Sequence, residues 1–184
     1  MSGYCRIAPG HPVHDGYHAT EYGFPARDET VLFERLVLEI MQAGLSWELV
    51  LKRRAGMRAA FSGFDVDSIA AYGEPDTARL LADPAIIRNR LKVAAIIENA
   101  KRVQALRDSH KGFAGWLDAH HPLDKPAWVK LFGKTFKFTG GEIVGEFLMS
   151  LGYLPGAHAE DCPVHARILA LGTGKKAPAW RRST

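Results

Sequence analysis

The sequence predicts an all-α protein built as one domain. Three observations lead there: apolar residues recur at helical spacing in block after block, helix-start residues precede those blocks, and strand-like alternation is nearly absent. At 184 residues the chain suits one continuous core better than two. Its 47% hydrophobic and 24% charged content is ordinary for a globular protein, and nothing in it argues for disorder.

Asp28 and Glu29 open the first long helix, in which Leu32, Phe33, Leu36, Val37, Ile40 and Met41 repeat until Gly44 ends the run. Ser46 caps a second helix through Trp47, Val50, Leu51 and Met57, stopping near Gly63. Shorter helices fit Asp67 to Tyr72 and Asp76 to Ala82. Residues 86–107 carry the longest periodic stretch, with Leu91, Ala94, Ala95, Ile97 and Val103 turned to the core, Lys101, Arg102 and Arg107 turned outward, and Gly112 closing it. Further helices are expected at Ala114 to Ala119, Pro126 to Phe132, Glu142 to Leu151 and Pro163 to Leu169. Thr135 to Thr139 alternates like a strand but has no partner strand, so it reads as an extended loop. Residues 1–172 form the expected domain, and 173–184 read as a loosely held basic tail.

No stretch approaches the ~20 apolar residues that cross a bilayer, and the first thirty residues contain no apolar run with basic flanks. The expectation is a cytoplasmic protein with no membrane partner. A net charge of +4 favours a polyanionic partner. The basic residues gather at Lys52, Arg53 and Arg54, and again at Arg88, Arg90 and Lys92 beside Asn89; two solvated helix faces would give the same pattern.

Cys5 and Cys162 lie near opposite ends, and a disulfide between them would be out of place in a reducing compartment. His158 and Cys162 are spaced to share one side of a helical turn; with Cys5 and His18 they supply Cys2His2, a complete set for one structural zinc ion. All four positions are then filled by protein, which argues against zinc hydrolysis. Such a clip would join the chain ends and constrain a very long loop. The alternative is two unrelated thiols among surface histidines, of which His11 and His14 could also bind metal. Glu39 stands out on the first long helix. It falls in register with Leu32, Leu36 and Ala43, on an apolar face where an unpaired carboxylate is costly, so it needs an internal arginine, a cap or a ligand.

The segment Tyr17-His18-Ala19-Thr20-Glu21-Tyr22-Gly23-Phe24-Pro25 and the run Leu38-Glu39-Ile40-Met41-Gln42-Ala43-Gly44-Leu45-Ser46-Trp47 resemble the DNA-3-methyladenine glycosylase I family. So do Gly63-Phe64-Asp65, Ile86-Ile87-Arg88-Asn89-Arg90 with Lys92, and Phe136-Lys137-Phe138. The resemblance runs from Cys5 to about Cys162. It implies a helix-hairpin-helix fold, with residues 79–100 holding the two helices and their turn, and Arg88, Asn89, Arg90 and Lys92 near DNA phosphates. It implies that Cys5, His18, His158 and Cys162 hold structural zinc, that Tyr17 and Trp47 stack on a base flipped out of double-stranded DNA with Tyr22 nearby, and that Glu39 hydrogen-bonds that base. The implied activity is monofunctional excision of 3-methyladenine from alkylated DNA by a monomer.

The sequence departs from the family pattern at Ile7, Ala19 and Tyr22, where the family commonly carries Trp, Asp and Trp, and at Gly140-Gly141-Glu142 with Glu146 one turn on. Those changes trim the aromatic pocket and add carboxylates near it. They leave open a glycosylase of this fold for another alkylated base, or a zinc-stabilised protein that binds DNA damage without turnover.

Overall fold

The computed structural model describes residues 3–174 and 176–182. Helices follow one another as α1 (Gly3–Ile7), α2 (Asp15–Thr20), α3 (Glu29–Gln42), α4 (Trp47–Ala60), α5 (Val66–Ala70), α6 (Glu74–Ala82), α7 (Arg90–His110), α8 (Phe113–His120), α9 (Lys125–Thr135), α10 (Gly141–Ser150) and α11 (Pro163–Leu169), with no strand among the described residues. Side-chain caps start many of them. Asp28 accepts from Val31 N at 3.1 Å, Ser46 Oγ from Leu49 N at 3.2 Å, Asn89 Oδ1 from Lys92 N at 3.1 Å and Asp124 from Ala127 N at 2.9 Å, each satisfying an N–H that a helix start leaves without a partner.

α3 is the central rod. Ten consecutive residues from Leu32 to Met41 are buried, because α4, α7, α8 and α10 all pack around it. Leu36, Val37 and Ile40 meet a core shared with Val93, Ile96 and Ala100 of α7, and with an aromatic cluster in which Phe113 stacks on Phe147 at 5.7 Å and Trp116 meets Phe132 edge-on at 5.2 Å. Each such side chain stabilises by roughly 1.5–3 kcal/mol through lost apolar surface.

The α7 register differs from the expected one. Its helix begins at Arg90 because residues 86–89 form the preceding turn, and Leu91 (71% exposed) and Ala94 face solvent. The stripe Val93, Ile96, Ala100 and Val103 takes the core, and Leu91 lies two residues, about 200°, around the helix from Val93. α1 and α2 are too short to show a period and were not expected. The segment 173–184, expected as a loose tail, packs where it is described: Ala177 and Ala179 are buried, Trp180 N donates to Gly152 O at 3.2 Å, and Arg182 reaches Asp118 at 3.3 Å. Residues 175, 183 and 184 of that expected tail lie outside the described residues.

α6, the turn at 83–89 and α7 form the expected hairpin of helices. It sits tightly on α4: a Cβ at Gly56 would meet Ala85 O at 2.6 Å, so only glycine admits this approach. Among the described residues, no helix is long and apolar enough to cross a membrane.

Candidate active site and metal cluster

A cavity of about 800 Å³ opens where α3, the start of α4, α10 and the N-terminal segment meet, and Tyr4, Tyr17, Tyr22, Glu39, Trp47 and Glu146 all line it. Tyr17 packs edge-on against Trp47 at 5.1 Å and lies 5.8 Å from Tyr22, which in turn meets Tyr4 at 5.5 Å. These rings make apolar walls of the kind that hold a planar ligand. Tyr17 Oη is buried with no hydrogen-bond partner among the described residues, an orphaned donor at the cavity. Tyr4 was not singled out in the sequence; it precedes Cys5 on a single helical turn that gives no periodic signal. Burial pushes its hydroxyl up to about 12.

Glu39 is 4% exposed and has no hydrogen bond or ion pair among the described residues. The nearest candidate cation is committed elsewhere. Arg35 bonds Glu21 Oε2 at 3.1 Å and lies over the face of Tyr17 at 5.1 Å. Burial, reinforced by the charge of Glu146, raises the Glu39 pKa well above the ordinary carboxylate range, and Arg35 offsets this only in part. Glu146 accepts from the Tyr22 hydroxyl at 2.9 Å.

A buried ionic network fixes this floor. Glu34, 1% exposed, accepts from Arg54 at 2.9 Å and Arg58 at 2.6 Å, while Arg54 also forks onto both oxygens of Glu21 at 2.7 and 2.8 Å. Burial acts against the Glu21 carboxylate, yet Arg54 and Arg35 hold it below its usual range. The run Lys52–Arg54 is therefore not a free basic patch: Lys52 pairs with Glu48 at 2.6 Å, Arg53 donates to the Pro84 carbonyl, and Arg54 is consumed in this network.

The second basic run divides. Arg88 and Arg90 are exposed at the hairpin, Arg90 only 3.6 Å from the exposed Glu74. Asn89 caps α7 with its side chain. Lys92 corrects the expectation of a phosphate ligand: it is 4% exposed, and its ammonium donates to Met41 O at 2.8 Å and Ala43 O at 2.7 Å. Lys92 thus bolts the start of α7 to the end of α3, whose following residues rim the cavity.

Cys5, His18, His158 and Cys162 converge, all buried, with their ligand atoms within 4.8 Å of one another. Cys5 Sγ lies 3.6 Å from His158 Nδ1, and Cys162 Sγ lies 3.7 Å from His158 Nδ1 and 3.8 Å from His18 Nε2. Those separations match the edge, about 3.6 Å, of a tetrahedron with Zn–S and Zn–N bonds of ordinary length. His158 Nε2 bonds Tyr22 O at 2.7 Å, which orients the ring with Nδ1 toward the cluster. Burial lowers both histidine pKa values, favouring the neutral form that ligates. The donor set therefore fits a metal ion. Residues 158–162 form a turn rather than the expected helical turn, closed by Cys162 N to Ala159 O at 2.9 Å before α11 begins. His11, His14 and Glu48 form a second group within the same spacing.

Residues 7–128 match the methyladenine glycosylase family model. The chain belongs to the methyladenine glycosylase family. It is 42% identical to DNA-3-methyladenine glycosylase 1 of Escherichia coli K12 over 86% of this chain and 94% of that protein. A crystal structure of a 3-methyladenine DNA glycosylase I superposes with a TM-score of 0.78 at 34% identity, covering 86% of this chain and 97% of that one. The Staphylococcus aureus enzyme, solved to explain its recognition of 3-methyladenine, gives 0.77 at 28% identity over 88% and 95%. The fold is thus that of this family of glycosylases.

Proposed function

We propose that the protein is a monofunctional DNA-3-methyladenine glycosylase that acts as a monomer on double-stranded DNA. One observation carries this: a buried carboxylate, Glu39, faces an aromatic cavity and lacks a cationic partner among the described residues. A nucleoside methylated at N3 of adenine is cationic and supplies the missing charge. Tyr17, Trp47 and Tyr22 sandwich or edge the extruded base, and Glu39 accepts hydrogen bonds from it.

The chemistry then asks little of the protein. The C1′–N9 bond breaks with its electron pair passing to the purine, whose positive charge is neutralised. Water adds its oxygen to C1′ and releases a proton to solvent. Glu39 stabilises the cationic nucleotide and the oxocarbenium-like sugar that forms from it. Arg88 and Arg90, with the backbone at the start of α7, hold phosphates, and Lys92 keeps that hairpin in register with the cavity.

The four-residue cluster is read as a structural zinc site. Zinc bound there by Cys5, His18, His158 and Cys162 would fasten α1 and α2 to the turn before α11, and so hold Tyr17 against Trp47 and Tyr22 beside Tyr17. Incubating the protein with methylated duplex DNA and identifying the released bases tests the reading. Release of 3-methyladenine with abasic product is expected, and tight binding with no abasic sites would overturn it.

A further inference from the structure

Glu146 is a second carboxylate in the same cavity, and base recognition by Glu39 leaves it unused. It stands on α10, a different wall from Glu39 on α3. Its Oε2 accepts the Tyr22 hydroxyl at 2.9 Å, so the side chain is held in place and kept as an acceptor; Oε1 has no protein donor among the described residues. The wall leading to it carries almost no side chain. A Cβ at Gly140 would meet nothing within 4 Å, and one at Gly141 only Val129 at 3.9 Å. At about 800 Å³ the cavity has room beside the first base-binding wall.

We propose that Glu146 is a second base-reading residue, which extends the substrates of this pocket to N7-alkylated guanine. This rests on the glycosylase reading above. Two fixed acceptors on separate walls favour a cationic base that presents N–H groups in more than one direction. Adenine methylated at N3 has one amino group, at N6, and acceptors at N1 and N7. An acceptor placed against a carboxylate is repelled. Guanine alkylated at N7 is likewise cationic, and offers N1–H and the N2 amino group side by side, a paired donor edge that suits a carboxylate. A Glu146 oxygen anchored by Tyr22 rewards that edge without competing with Glu39. Glu142, also on this segment, is too exposed for the role and lies 3.5 Å from Lys125 at the rim.

The test is release of bases from duplex DNA treated with a methylating agent, which carries both lesions, and from an oligonucleotide duplex with a single 7-methylguanine. Parent protein is compared with Glu146→Gln, which keeps shape and the Tyr22 contact, and with Glu146→Ser. Release of 7-methylguanine as well as 3-methyladenine by the parent is expected, with their ratio falling at least tenfold in both variants. Release of 3-methyladenine alone by the parent, or a ratio unchanged in Glu146→Gln, overturns the role of Glu146 and leaves the glycosylase reading standing. Release of neither base overturns both.

Discussion

Arg35 and Glu39 sit one turn apart on α3 and do not pair: the guanidinium lies 3.1 Å from Glu21, and the carboxylate is left to the cavity. Helical neighbours at this spacing ordinarily attract, so the geometry shows how the α2 end diverts the cation. The cost falls on folding. Glu39 has a raised pKa in the folded protein, so from about pH 4 upward the unfolded chain loses a proton that the folded one retains, and stability falls as pH rises. Glu39→Gln is expected to melt higher than the parent at neutral pH, with the gain shrinking toward pH 4; each kcal/mol recovered appears as roughly 2–4 °C. The same variant should lose base release by about 100-fold. Thermal melts across pH, paired with base-release rates, check both halves, and a variant less stable than the parent at neutral pH would contradict the strain argument.

The metal cluster joins residues near opposite ends of the chain, so its removal should act on stability first. A bridge that closes a loop longer than 100 residues is worth roughly 5 kcal/mol by chain entropy. The purified protein is expected to carry one zinc by elemental analysis, and chelation or Cys162→Ser should lower the melting temperature strongly. Activity per folded molecule should fall less, because no cluster residue faces the cavity; what is lost there comes through Tyr17 and Tyr22, which the clip positions. A metal content of zero with unchanged melting would remove the clip.

Long helices were legible because their period is long enough to count: α3 and α4 start at the residues that Asp28 and Ser46 announce. Glu39 was legible for the same reason, since a charge on an apolar stripe has few explanations. Leu91 misled because hydrophobicity alone does not set a helix register when the first turn is solvated; Val93, Ile96 and Ala100 were the deeper stripe. Lys92 misled because a lysine beside exposed arginines looks like one of them until its acceptors, two carbonyls some fifty residues upstream, are seen. Tyr4 carried no local signal; only the folding of α1 against α2 brings it to the cavity.

The Glu21–Glu34–Arg54 network places two carboxylates under one guanidinium, and Glu34 is almost fully buried. Removing one partner from such a group leaves an under-compensated charge and costs about 3 kcal/mol. Arg54→Met is expected to lower the unfolding free energy obtained from urea titration by that amount. Adding Glu34→Gln to Arg54→Met should recover part of the loss, because the stranded charge goes with it. Additive losses in the double variant would show that the two side chains act independently.

Lys92 and the arginines beside it should separate cleanly in experiment. Lys92→Met removes a buried ammonium from the carbonyls of Met41 and Ala43, leaving both acceptors short of a donor, and should cost about 2 kcal/mol of stability. Arg88→Ala and Arg90→Ala touch exposed side chains and should leave melting within about 0.5 kcal/mol. Their effect belongs to DNA: each should weaken binding evenly across sequences and reduce the salt dependence of affinity by about one counterion. Titrations of duplex DNA at several salt concentrations, beside thermal melts, check the division. A lowered salt slope in Lys92→Met with unchanged stability would return that lysine to the phosphate-binding set, and would mean that its ammonium leaves the α3 carbonyls when DNA arrives.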